Sequence, residues 1–206
     1  AAGAIQLAEA RLLAFPIRSA KGSYAWVTCP LMLRRAVRDG LLPVDLVADL
    51  KEPADEEALF AAGNGGKLDL AGEVVLEEYT FRHAGEIAPG LGTALAGLLE
   101  DEVWREVDSR LVILSNGMMS YFARNACDVA QHVRIDDETG TAAGGALFNQ
   151  ENVPGEALFY SVVTALEERS AQKDAAERRP ANAALDAFGQ QLAVCPVYRM
   201  KHSFDS

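Results

Sequence analysis

The stretch from residue 11 to residue 40, RLLAFPIRSAKGSYAWVTCPLMLRRAVRDG, constrains the fold most. Residues 7–17 are apolar, with Glu9 and Arg11 on one alternating face, and read as a half-buried strand with Pro16 near its end or at an edge. SAKGS, 19–23, is a turn, and Tyr24–Val27 is a second strand. Thr28 is a good N-cap, Pro30 suits a first helical turn, and the helix that follows stops at Gly40. Strand, turn, strand and helix in 30 residues require a layered α+β arrangement.

The rest of the chain extends that pattern. Residues 41–66 mix acidic residues, Pro and Gly and read as a surface insertion with a short helix around Asp55–Ala62. Strands are expected around Lys67–Leu70 and Glu73–Arg82. Leu91, Leu95, Leu98, Leu99, Val103, Trp104 and Val107 recur at spacings of three and four, the mark of a core helix. RLVILS, 110–115, is a buried strand, and Ser115 or Asn116 caps a further helix. DVAQHVRI, 128–135, and ALFNQE, 146–151, form a long hairpin with a mobile tip of small residues. The β-branched and aromatic segment 157–166 is expected at the centre of a sheet. Residues 167–181 are highly charged, a solvated helix or disordered, and 182–194 are helical. The fold class is α+β with an antiparallel sheet of the β-α-β-β-α-β kind.

Chemistry is sparse. Cys29, Cys127 and Cys195 are far apart, as are His83, His132 and His202, so neither a disulfide framework nor a zinc ribbon is encoded, and three reduced cytosolic thiols are the plain reading. No apolar run approaches the ~18 residues of a membrane span, and the first residues lack the basic start of a signal peptide. The net charge of −11 disfavours a free-standing nucleic-acid binder but leaves room for a local basic groove. GLGTALAG, 90–97, lacks the third glycine of a dinucleotide fingerprint, and GNGG, 63–66, has no P-loop lysine. Two places remain. Arg18, Ser19, Lys21 and Gly22 put two cations, a hydroxyl and a glycine in one turn, a set suited to phosphate or simply to a solvated turn. The hairpin has an apolar base, Val133, Ile135, Leu147 and Phe148, which needs a neighbouring subunit or a nucleobase to pack on.

Those segments carry a resemblance. FPIRSAKGSYAWVTCPLMLRR, 15–35, is similar to the F-P-[VI]-R-S-x-x-G-x-[FY]-A-W-V-T-C-P-x-x-L-x-R segment of a CRISPR-associated RAMP protein, the fourth subunit of the type III-B Cmr effector complex. VILSNGMM, 112–119, and HVRIDDETGTAAGGALFNQENVPGEALFYSVV, 132–163, resemble a second block of that family in the same order. The resemblance implies a modified ferredoxin-like, RRM-like core within a single RAMP-type domain over 1–206, an insertion at 41–66 and a thumb hairpin at 132–151. It implies an RNA-binding subunit that stacks in copies along a CRISPR RNA beside other Cmr subunits, in the cytoplasm. Such a subunit spaces metal-dependent cleavage of target RNA with Mg2+ or another divalent ion. Arg18, Ser19, Lys21 and Gly22 become guide-RNA contacts. Arg134, Ile135, Asp136, Thr139, Gly140, Thr141, Leu147, Phe148 and Asn149 become the thumb, with its tip at Thr139–Gly145. The family's catalytic aspartate loop and its glycine-rich loop have no counterpart in 1–206, so no catalytic or metal-binding residue is assigned, and Glu151 and Glu156 read as ordinary surface acids. A RAMP-fold scaffold without RNA binding is the alternative.

Overall fold

The computed structural model describes residues 4–63, 66–135, 139–168 and 178–194. Its strands are β1 (Ile5–Leu7), β2 (Arg11–Ser19), β3 (Ser23–Thr28), β4 (Glu57–Phe60), β5 (Glu73–Leu76), β6 (Tyr79–Gly85), β7 (Leu111–Ile113), β8 (Asp128–Ile135), β9 (Ala142–Asn152), β10 (Leu158–Tyr160) and β11 (Val163–Ala165). Its helices are α1 (Pro30–Arg38), α2 (Leu91–Ala96), α3 (Val107–Arg110), α4 (Asn116–Asn125) and α5 (Ala181–Val194). The chain divides into a unit of residues 12–159 and a second of residues 1–11 with 160–206.

In the larger unit one sheet runs in the order β10-β2-β3-β7-β4-β6-β5. It curls far enough for Ser19 of β2 to pair with Leu76 of β5. The sheet is mixed rather than purely antiparallel, because β3 runs parallel to β7 and β4 parallel to β6. Its centre is read directly from side-chain type. Ala25, Trp26, Val27 and Thr28 of β3 and all of β7 are buried on both faces, which β-branched and aromatic residues tolerate best. Phe15, Phe60, Phe81 and Phe122 complete the core from β2, β4, β6 and α4. Each such side chain contributes about 1.5–3 kcal/mol of burial.

The helix ends follow local chemistry. Cys29, in extended conformation, is the N-cap residue of α1, one place later than Thr28, and Gly40 at φ +78° turns the chain away after the helix. Pro30, Leu33 and Ala36 of α1 are buried, while Leu31, Arg34, Arg35 and Arg38 face solvent. Ser115 caps α4 as expected: its Oγ accepts from Met118 N at 3.0 Å and donates to Asp55 Oδ1 at 2.5 Å.

Several expectations are corrected. The helix placed at Asp55–Ala62 is instead a turn leading into β4, whose Ala58 and Phe60 are fully buried between β7 and β6. Alternation of buried and half-buried residues over four positions is strand periodicity, and it wins over the helix propensity of Glu and Ala. Pro16 lies inside β2, opposite Trp26, rather than at a strand end. The strand expected at 73–82 is a hairpin that turns at Glu77, φ +50°. The helix expected over 91–107 is broken: α2 ends at Ala96 with Gly97 at its C-cap, a 3-10 turn covers Trp104–Glu106, and α3 follows. Trp104 drives that break, since its buried indole donates to Leu95 O at 2.7 Å and pulls the chain back on itself. The segment 157–166 is not a central strand. It splits into β10, at an end of the large sheet, and β11.

The smaller unit is a two-stranded antiparallel sheet, β1 with β11, joined by α5. Ser161 Oγ donates to Ala8 O at 2.7 Å and Ala8 N to Val162 O at 2.9 Å, so the strand pairing is extended by a loop contact. Most of the charged segment 167–181 lies outside the described residues, as does Cys195. Cys29 and Cys127 are free thiols. No helix among the described residues is long and apolar enough to cross a membrane.

Candidate nucleic-acid interface

The phosphate-suited turn is built between β2 and β3. Arg18 ends up in solvent, its side chain 87% exposed, with Nε 3.3 Å from Glu77 Oε1. Lys21 is exposed, and its Nζ donates to Asp69 O at 2.6 Å. Asp69 in turn accepts from Gly63 N and Gly72 N, and those two N–H groups, with Lys21 nearby, hold its carboxyl below the usual carboxylate range. Ser19 is buried, and its Oγ has no hydrogen-bond partner, so any anion contact there falls to the backbone. Gly22 is structural. It sits at φ +80°, and a Cβ there would meet Arg110 Nη1 and Lys67 O at 3.1 Å.

Arg110, which the sequence reading passed over, locks this turn from behind. Its guanidinium donates to Gly22 O and lies 4.6 Å from the centroid of the Tyr24 ring. Arg110 Nε donates to Glu106 Oε2 at 2.6 Å, and Lys67 Nζ reaches the same oxygen at 3.0 Å. Arg110 first and Lys67 second hold the Glu106 carboxyl low. A basic residue at the end of a short helix, just before a buried strand, was the only signal of this role.

The hairpin is as long as expected, and its second strand is longer. β9 begins at Ala142, so the tip placed at Thr139–Gly145 shrinks to the turn around Gly140, φ +65°, where Thr139 Oγ1 and Thr141 Oγ1 are 2.9 Å apart. Asp136 lies outside the described residues. A register shift falls between Val133 and Ile135. Antiparallel pairing puts opposite partners on one face. Val133 and Leu147 therefore share one face, beside Gln131 and Asn149. His132 and Phe148 share the other, stacked 5.0 Å apart at 20°. Arg134 and Asn149 are exposed. Ile135, Leu147 and Phe148 are 52%, 69% and 58% exposed, so these apolar side chains of the stem face solvent among the described residues.

Between the turn and the foot of the hairpin lies a groove of ≈ 480 Å³. Arg18, Tyr79, Tyr121, Asp128 and Glu156 all face it, from β2, β6, α4, β8 and the loop after β9. Tyr79 and Tyr121 join their hydroxyls at 2.8 Å with rings 5.5 Å apart. Donation within that pair pushes the Tyr79 phenol up to about 12. Scattered tyrosines carry no spacing signal, so this groove was invisible in the sequence. Among the described residues no three His, Cys, Asp or Glu side chains converge to hold a metal ion.

The curled mixed sheet, short helices and long hairpin have the fold of solved Cmr4 structures, consistent with a ferredoxin-like core. In sequence and in fold the chain is similar to Cmr4. It is 29% identical over 165 residues to the CRISPR system Cmr endoribonuclease Cmr4 of Pyrococcus furiosus, a match that covers 79% of this chain and 55% of that protein. A crystal structure of oligomeric Cmr4 from Pyrococcus furiosus superposes with a TM-score of 0.62 at 20% identity, over 92% of this chain and 65% of that one. A chain in a cryo-EM structure of the type III-B Cmr-beta complex bound to cognate target RNA gives 0.57 at 15% identity, over 98% and 64%. The chain thus spans little more than half of the curated relative's length. No protein-family model matches it.

Proposed function

We propose that this chain is an RNA-binding backbone subunit of a type III-B CRISPR effector complex. Copies of it stack along a CRISPR RNA with other Cmr subunits, pair the guide with target RNA and set the spacing of target cleavage. The observation that carries this reading is the β8–β9 hairpin, which exposes Val133, Leu147 and Phe148 to solvent. An apolar two-stranded stem is marginal alone and gains from packing on an unstacked base, where stacking tolerates any sequence. Its polar neighbours Arg134, Thr139, Thr141 and Asn149 suit phosphate and 2′-hydroxyl contacts, which hold RNA without reading it. Arg18 and Lys21 are the cations of the turn offered to guide phosphate, positioned by Ser19 and Gly22. The relative's endoribonuclease name and the RNA-bound neighbour support the same reading. Target cleavage with a divalent metal is proposed for the whole protein, with no step assigned to the described residues.

The test is RNA retention. The purified chain, freed of nucleic acid, is titrated with a labelled single-stranded guide RNA at several salt concentrations. Binding that weakens steeply with salt is expected, since phosphate contacts release counterions. A folded chain that retains no RNA at low salt would favour the scaffold alternative instead.

A further inference from the structure

The groove that joins the turn to the hairpin foot is poorly suited to a polyanion. Four carboxylates, of Glu77, Glu78, Asp128 and Glu156, face it against the single guanidinium of Arg18, and Tyr79 and Tyr121 supply ring faces. Carboxylates beside aromatic rings favour a cation, above all a guanidinium, which can accept both contacts at once. The same chain carries such a surface elsewhere. At 3.6 residues per turn, Leu31, Arg34, Arg35 and Arg38 of α1 fall within an arc of about 100° and are all exposed. Arg34 donates to Leu50 O at 3.0 Å, and Arg38 Nε lies 3.4 Å from Asp39 Oδ1. Each of those contacts occupies one of five guanidinium donors, so the arginines keep most of their capacity. α1 lines no part of the groove.

We infer that the groove receives the arginine face of α1 from a second copy of this chain. Donor and acceptor surfaces are different patches of one molecule, so the contact is head-to-tail and repeats into a filament rather than closing a dimer. Opposite charges set register and association rate, while Leu31 and the tyrosine rings supply apolar contact. The inference rests on the proposal that copies stack, and it names the surfaces and chemistry of that stacking. It leaves RNA to the exposed stem of the hairpin and to the turn, whose Arg18 alone borders the groove.

The test is self-association of the nuclease-treated, RNA-free chain, followed by sedimentation velocity across concentration and salt. Wild type is expected to form chains of copies whose apparent Kd rises at least about tenfold from low to high salt, as screened surface charges require. Glu78→Lys with Asp128→Lys, and separately Arg35→Glu with Arg38→Glu, should each weaken association by at least about tenfold while circular dichroism stays unchanged. Arg35→Gln with Arg38→Gln provides a milder pair should the Glu variant fail to fold. Mixing the two charge-reversed proteins should restore filaments in which the two alternate, since each is complementary to the other at both contacts, and the fourfold variant should regain filaments on its own. Three results overturn the inference: a wild type that stays monomeric, association indifferent to both reversals, or a groove reversal that changes RNA affinity and leaves assembly intact. RNA binding is measured separately on the same variants, so failure of the RNA reading is distinguished from failure of this one.

Discussion

At the residue scale, the turn between β2 and β3 separates support from contact. Gly22 at φ +80° lets Arg110 reach its carbonyl, and a side chain there is strained and crowded at once. Gly22→Ala is therefore expected to destabilise the chain by about 1–3 kcal/mol, read as a lower urea midpoint with an unchanged m-value. Arg18 and Lys21 lie outside that support. Replacing both with Ala should leave the melting temperature within a degree or two and make the salt dependence of RNA binding shallower by about one to two units. An unchanged slope in a folded protein would remove the turn from the RNA surface. The tyrosine pair gives a pH prediction. Tyr79 titrates near 12 in the folded chain against 10.0 for a free phenol, so the neutral form is favoured by folding. Its stabilising effect is fully present below pH 10 and fades as pH rises toward 12. Tyr121→Phe removes the partner hydroxyl, and alkaline absorbance titration should then show the Tyr79 transition moving down toward its ordinary value.

At the scale of elements, the hairpin and β4 behave oppositely. The β8–β9 stem pairs only with itself among the described contacts of its strands, so its tip contributes little to the core. Deleting Thr141–Gly144 is expected to leave cooperative unfolding in place and to impair target pairing or cleavage spacing in a reconstituted complex. Loss of folding on deletion would make the hairpin structural and remove the thumb assignment. The sequence marked this hairpin clearly, because two apolar-flanked strands around a small-residue segment have few other solutions. It missed the extent of β9, since AAGG has weak strand propensity, and the pairing resumes at Ile135 with Ala142 only after a register shift.

For the molecule as a whole, β4 decides the architecture. Phe60 is fully buried and β4 bridges β7 and β6, although the surrounding 41–66 segment is acidic and rich in turn residues. Phe60→Ala should cost about 3–5 kcal/mol, measured by chemical denaturation. A loss below about 1 kcal/mol would return the segment to the surface. The net charge of −11 is also a property of this scale. It is concentrated in places such as the groove, so a basic turn and an arginine-lined helix face coexist with an acidic chain.

The sequence alone determined whatever is local or repeats with a short period. The β2–turn–β3–α1 order, the Ser115 cap, the long hairpin and the resemblance through RSAKGSYAWVTCP all follow from neighbouring residues, whose geometry the chain fixes within one or two turns. The tertiary structure decided what distant segments do together. Glu57–Phe60 became a strand because β7 and β6 offer it hydrogen bonds and a dry slot, and the helix over 91–107 broke because the Trp104 indole found Leu95 O. The acidic groove draws Arg18, Tyr79, Tyr121, Asp128 and Glu156 from positions far apart in the chain, and nothing short of the folded sheet brings such residues within reach of one another.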